Sequence, residues 1–105
     1  MRIHKKEEFG KKKQYLAMLS KAISHPARIS ILKILAKRKS CNCNELVEMM
    51  PLSQSTVSQH LRELKNSCLI DGKVVGTSSV YSLNKNILKD FEHEFKKLMK
   101  AVTSK

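Results

Sequence analysis

The chain of 105 residues has no tryptophan, and only 9 acidic side chains against 21 lysines and arginines. It has no apolar run near the ~18 residues that a membrane-spanning helix needs. Behind Met1 stand Arg2, Ile3, His4, Lys5 and Lys6 with no apolar stretch after them, so no secretory signal is expected. The three cysteines are an odd count, and Cys41 and Cys43 lie only two positions apart. That is a poor disulfide framework and points to free thiols in a reducing compartment, the cytoplasm. Internal repeats and low-complexity linkers are lacking too. So are paired carboxylates, a Ser–His–acid pattern and a phosphate-cradling loop, and Cys43 with His60 has no evident third partner. A chain of this length has room for one core, so a single domain over residues 1–105 that is not an enzyme is expected. The hydrophobic share of 41% argues that this domain folds.

The net charge is +12. It is uneven: residues 1–39 carry 12 basic and 2 acidic side chains, residues 40–70 carry 2 and 3, and residues 71–105 carry 7 and 4. Lys11, Lys12 and Lys13 form one run, and Lys37, Arg38 and Lys39 another. Such a balance implies a polyanionic partner, either nucleic acid or an anionic membrane surface. The segment from Lys5 to Lys21 also holds Phe9, Tyr15, Leu16 and Leu19, which keeps a membrane-surface module as the alternative. Those residues serve helix packing equally well, and no membrane partner is expected.

Hydrophobic spacing predicts a first helix over residues 11–24, with Tyr15, Leu19 and Ala22/Ile23 on one face. Ser24-His25-Pro26 restarts the chain as a second helix, Pro being suited to the first turn. That helix runs to Arg38, with Ile29, Ile31, Leu32 and Leu35 expected inside. Asn42 and Glu45 read as a cap and its partner before a short helix with Leu46, Val47 and Met50, stopped by Pro51. Ser53 caps the next, over 54–66, where Val57, Leu61 and Leu64 line one face and Cys68 continues the row into the core. Gln54, Ser55, Ser58, Gln59 and Arg62 form the opposite face. Residues 69–75 and 79–83 read as strands around Gly76-Thr77. The last helix, 85–102, places Leu88, Phe91, Phe95, Leu98 and Val102 at heptad steps.

Two short helices on a tight turn, the second polar outside, followed by a strand hairpin, describe a mainly α winged helix-turn-helix. About five helices and a two-stranded β-hairpin wing are expected. The helix-turn-helix spans 42–66 and the wing 69–83. A wide major groove admits one helix, and glutamine matches the edge of adenine.

Ala22-Ile23-Ser24-His25-Pro26-Ala27-Arg28-Ile29, Leu52-Ser53-Gln54-Ser55-Thr56-Val57-Ser58-Gln59-His60-Leu61 and Leu64-Lys65-Asn66-Ser67-Cys68-Leu69-Ile70 resemble, in order, the second helix, recognition helix and wing entry of the ArsR/SmtB family of transcriptional repressors. The resemblance implies a homodimer built from the first helix (within the basic arm 1–24) and the last (85–102). Tyr15, Leu19, Leu88, Phe91, Phe95, Leu98 and Val102 would lie at its interface. It implies a double-stranded DNA operator as partner. Gln54, Ser55, Ser58 and Gln59 would read base edges, and Ser53, Thr56 and Arg62 would lie nearer phosphates. The wing departs from the family pattern: its tip, Gly76-Thr77-Ser78, is neutral, and only Lys73 is basic. His60 is expected to pack or to meet phosphate.

Thiolate sensors of the family place a C-x-C pair where Cys41-Asn42-Cys43 stands, so arsenite, antimonite or a soft divalent metal at Cys41/Cys43 is implied as the inducer. The helix start and Lys37, Arg38 and Lys39 are expected to lower the thiol pKa, and soft thiolates select soft ions. The family's third cysteine is replaced by Leu46, and the arm offers only His4, Glu7 and Glu8. The zinc positions of the last helix hold Lys85 and Ile87, while Asp90, His93 and Glu94 fall out of register. Metal sensing, thiol oxidation and no sensing role at Cys41/Cys43 all stay open.

Overall fold

The computed structural model describes residues 9–104. His4, Glu7 and Glu8 lie outside the described residues. Helix α1 (Lys11–Ala22) is followed by α2 (Pro26–Arg38), β1 (Ser40–Asn42), α3 (Cys43–Glu48), α4 (Gln54–Asn66), β2 (Ile70–Val75), β3 (Ser78–Leu83) and α5 (Lys85–Thr103). The expected five helices and hairpin are present. The strands form one antiparallel sheet in the order β1-β3-β2, with Cys41 opposite Tyr81 and Gly72 opposite the same residue on the other side.

Local chemistry explains the boundaries. Pro26 opens α2, where its missing N–H costs nothing. At the other end Lys39 takes φ +71 and turns the chain into β1, its N–H donating to the Leu35 carbonyl at 2.9 Å. Asn42 and Glu45 form a reciprocal capping box for α3, both bonds 2.8 Å. Asn84 caps α5 by accepting from the Ile87 N–H at 3.3 Å. The hairpin turns on Gly76, whose φ of +64 at the first of two loop positions fits a II′ turn.

The core joins residues from all five helices and from the base of the wing. Leu19 (α1), Ile31 and Leu35 (α2), Leu46 (α3), Val57, Leu61 and Leu64 (α4), and Leu69 and Ile70 at the wing base are fully buried. Three expectations change. Strand β1 adds a third strand to the expected two-stranded hairpin; Ser-Cys-Asn shows no strand-like alternation of apolar residues, and its partner in β3 lies some forty positions away. Ile29 is 46% exposed. Two positions from Ile31 is about 200° around a helix, so both cannot face the core.

Cys68 is the third. It is exposed, not part of the core. Helix α4 ends at Asn66, and Cys68 takes φ +67. Its N–H donates to the Lys65 carbonyl (3.0 Å) and that of Leu69 to the Leu64 carbonyl (3.1 Å). These are the two bonds of a Schellman cap, so the left-handed cap forms despite the side chain, which it turns outward.

Candidate nucleic-acid interface

Helix α4 is seated by Val57, Leu61 and Leu64, all sealed in the core. That seating leaves Gln54, Ser55, Gln59 and Arg62 exposed on the other face, with Thr56 and Ser58 half-buried at its margin. The Ser53 hydroxyl accepts from the Thr56 N–H at 3.4 Å and lies 3.0 Å from the Thr56 hydroxyl and 3.2 Å from that of Ser55. Ser53 and Thr56 therefore hold the start of the helix as well as facing outward. The result is a ridge one helix wide carrying amide and hydroxyl donors and acceptors, with a guanidinium one turn further on. A ridge of this kind can pair with base edges in a major groove and with the phosphates beside it.

His60 sits one position past Gln59, about 100° round the helix, and meets α2. Its Nδ1 accepts from Arg28 Nε at 3.1 Å, and Arg28 Nη1 donates to the Ala22 carbonyl, also at 3.1 Å. The His25 ring lies 5.6 Å away, tilted by 50°. Burial, then the charges of Arg28 and His25, push the His60 pKa below its ordinary value. His60 packs, as one of the two expected roles had it. Its partner Arg28 went unrecognised, because 32 positions separate the two residues and no local pattern joins them.

The wing base is fixed to the flank of α4. A Cβ on Gly72 would stand 3.2 Å from the Tyr81 ring and 3.3 Å from the Lys65 stem, so glycine permits that approach. Beyond it the hairpin projects into solvent with Lys73, Val74 and Val75 exposed, Val74 by 75%.

The cysteine pair is not arranged as a soft-ion site. Cys41 is 1% exposed, its strand directing it into the core, while Cys43 is half-buried at the first position of α3. Burial raises both thiol pKa values; for Cys41 nearby Glu45 adds to the rise and Arg38 opposes it. The expected lowering is thus reversed, because burial outweighs the basic run. Among the described residues no group of three or more His, Cys, Asp or Glu side chains could hold a metal ion. As folded, the residues at Cys41/Cys43 do not fit such an ion. Arg38 itself donates to the Met49 sulfur at 3.7 Å. On α5, Asp90 and His93 are exposed and Glu94 lies 3.9 Å from Lys97.

Helices α1 and α5 pack on each other. Leu19 is consumed by the protomer's own core, and Tyr15 and Leu88 are half-buried against it. Burial, Asp90 and Cys68 raise the Tyr15 pKa. Phe91 is 8% exposed and meets Phe95 edge-on at 6.1 Å. Past it the seam opens: Phe95, Leu98, Met99 and Val102 are all exposed, Val102 by 64%, as are Phe9 and Met18 beside and on α1.

Residues 25–71 match the family model described as bacterial regulatory protein, arsR family. Over 73 residues the chain is 38% identical to the transcriptional repressor PagR of Bacillus anthracis, covering 65% of this chain and 68% of that protein. It is 33% identical to an arsenical resistance operon repressor of Staphylococcus xylosus, covering 70% and 69%. The chain belongs to the ArsR family. The solved structure of PagR, 30% identical, superposes with a TM-score of 0.65 over 76% of this chain and 92% of that one. An ArsR-like regulator from Rhodococcus sp. RHA1 reaches 0.73 over 88% and 95% at 20% identity, a likeness of fold. Within this ArsR-family chain the matched segment runs from the cap of α2 to the first two residues of β2. It contains the whole helix-turn-helix but neither α1, the wing tip nor α5. Among the described residues no helix is long and apolar enough to cross a membrane.

Proposed function

We propose that this ArsR-family protein is a sequence-specific DNA-binding transcriptional repressor, not an enzyme, acting as a homodimer in the cytoplasm. The observation that carries the reading is α4: a helix anchored by three sealed apolar residues with Gln54, Ser55 and Gln59 left outside. Gln54, Ser55, Ser58 and Gln59 read base edges. Ser53, Thr56 and Arg62 lie toward phosphates, with Lys73 beside them from the wing. The open seam of Phe95, Leu98 and Val102, together with α1, joins two protomers. Two α4 helices then enter successive major grooves about 34 Å apart on a near-palindrome. Occupation of a promoter by this dimer blocks transcription. The names of the relatives as repressors support this reading.

The geometry favours repression that is not governed by a soft ion at Cys41/Cys43, since Cys41 would have to leave the core to bind one. A mobility shift on DNA selected by the protein from a random pool tests both parts. Gln59→Ala is expected to weaken binding by about 1–3 kcal/mol, and arsenite or cadmium is expected to leave the wild-type shift unchanged. Full affinity in Gln59→Ala removes that residue from the readers, and release by arsenite that Cys41→Ser abolishes restores the thiol sensor.

A further inference from the structure

We propose that Arg28 is a positioning residue for DNA reading, holding α4 at its working angle through a neutral His60. This rests on the reading of α4 as the DNA-contacting helix. Arginine can only donate, so the 3.1 Å contact from Arg28 Nε to His60 Nδ1 fixes a lone pair on Nδ1 and the ring proton on Nε2. The second bond of the same guanidinium goes to the carbonyl of Ala22, the last residue of α1. One side chain of α2 therefore ties the end of α1 to the second turn of α4, one position from Gln59. Both bonds are part-buried, where a rigid planar fork transmits position better than a flexible ammonium.

Proton uptake at His60 places a hydrogen on Nδ1, removes the acceptor and sets a cation against Arg28. The surroundings oppose that uptake. Arg28 from α2 and His25 from its cap face the ring. A neighbouring pocket of about 330 Å³, whose lining includes His25 and Arg28, adds Lys21 from α1 and, as its only acid, Glu63 from α4. The charged residues of α3, which also packs on α4, are Glu45 and Glu48, and Glu45 is turned back onto its own cap. Burial, then Arg28 and His25, lower the pKa of His60. Above about 6.5 the ring is neutral whether the protein is folded or not. As pH falls below that value the unfolded chain takes the proton first, so the contact's contribution is lost progressively through the folded pKa.

The test is a double-mutant cycle on operator affinity, read from pH 7.5 to 5.5 by fluorescence anisotropy on the duplex that the wild type selects. Arg28→Met and His60→Ala are each expected to weaken binding about tenfold, and the double variant by about tenfold rather than a hundredfold. His60→Asn keeps an acceptor near Nδ1 and is expected to hold wild-type affinity at pH 7.5 while losing the acid-side fall. Thermal unfolding of each variant at pH 7.5 separates loss of fold from loss of aim. Multiplicative losses in the cycle, or the same acid-side fall in wild type and His60→Asn, overturn the positioning role alone. A wild type that selects no duplex overturns the DNA-reading assignment beneath it.

Discussion

Helices α4 and α5 look alike on paper. Each is capped by a small polar side chain, Ser53 or Asn84, and each carries apolar residues three and four positions apart. Folding treats them differently. In α4 the apolar row of Val57, Leu61 and Leu64 is closed to solvent. In α5 the row is closed at Phe91 and then opens, leaving Phe95, Leu98 and Val102 uncovered. A helix whose apolar face is fully used inside the protomer offers its polar face as its product. A helix whose apolar face is half unused offers that face, and a second copy of the chain is what we propose covers it.

Substitutions at matched positions test this contrast, the largest effect first. Leu61→Ala removes a sealed side chain and is expected to lower unfolding free energy by about 2–5 kcal/mol. Leu98→Ala, already open, should cost the isolated protomer far less. Equal losses in urea melts erase the distinction. Leu98→Glu places a charge on the open seam. Its expected outcome is a monomer by sedimentation equilibrium with a folded far-UV spectrum and operator affinity down about a hundredfold, since the second half-site no longer adds avidity. A dimer that survives Leu98→Glu places the interface elsewhere.

Smaller effects sharpen the ends of α4. Cys68→Gly relieves a side chain held at φ +67 and is expected to stabilise the fold by about 1 kcal/mol; no gain in the melting midpoint shows that the cap tolerates cysteine without strain. The thiols should alkylate in order of exposure, Cys68 first, Cys43 next and Cys41 only on unfolding. Their pH dependence has a definite sign. The raised values for Cys41 and Cys43 mean that the unfolded chain releases these protons first on the alkaline side. Stability should therefore decline as pH rises above about 9, and less steeply in Cys43→Ala.

Much of this was legible in the sequence because local rules agree with one another. The Asn42/Glu45 box, Pro26 at the head of α2, Ser53 before α4 and Gly76 in the hairpin each act within four residues, and each stands where its chemistry requires. The polar face of α4 followed from the positions of Val57, Leu61 and Leu64. What was not legible depends on distant residues or on where a helix stops. Strand β1 exists because β3 returns to it, and Cys41 is buried for the same reason. Cys68 continues the spacing of Leu64 but not its helix, which ends two residues earlier. The Arg28–His60 contact joins two motifs that the sequence presents separately.

In the proposed complex the exposed face of α4 enters the major groove of a duplex twice per dimer. Guanine N7 lies in that groove, so methylation protection on the selected duplex reads the contact directly. Two protected patches about 10 base pairs apart are expected, each needing more protein to appear in Gln59→Ala or Gln54→Ala while the protein still folds and dimerises. Binding without protection of any N7, or a single patch that those variants leave intact, contradicts this arrangement.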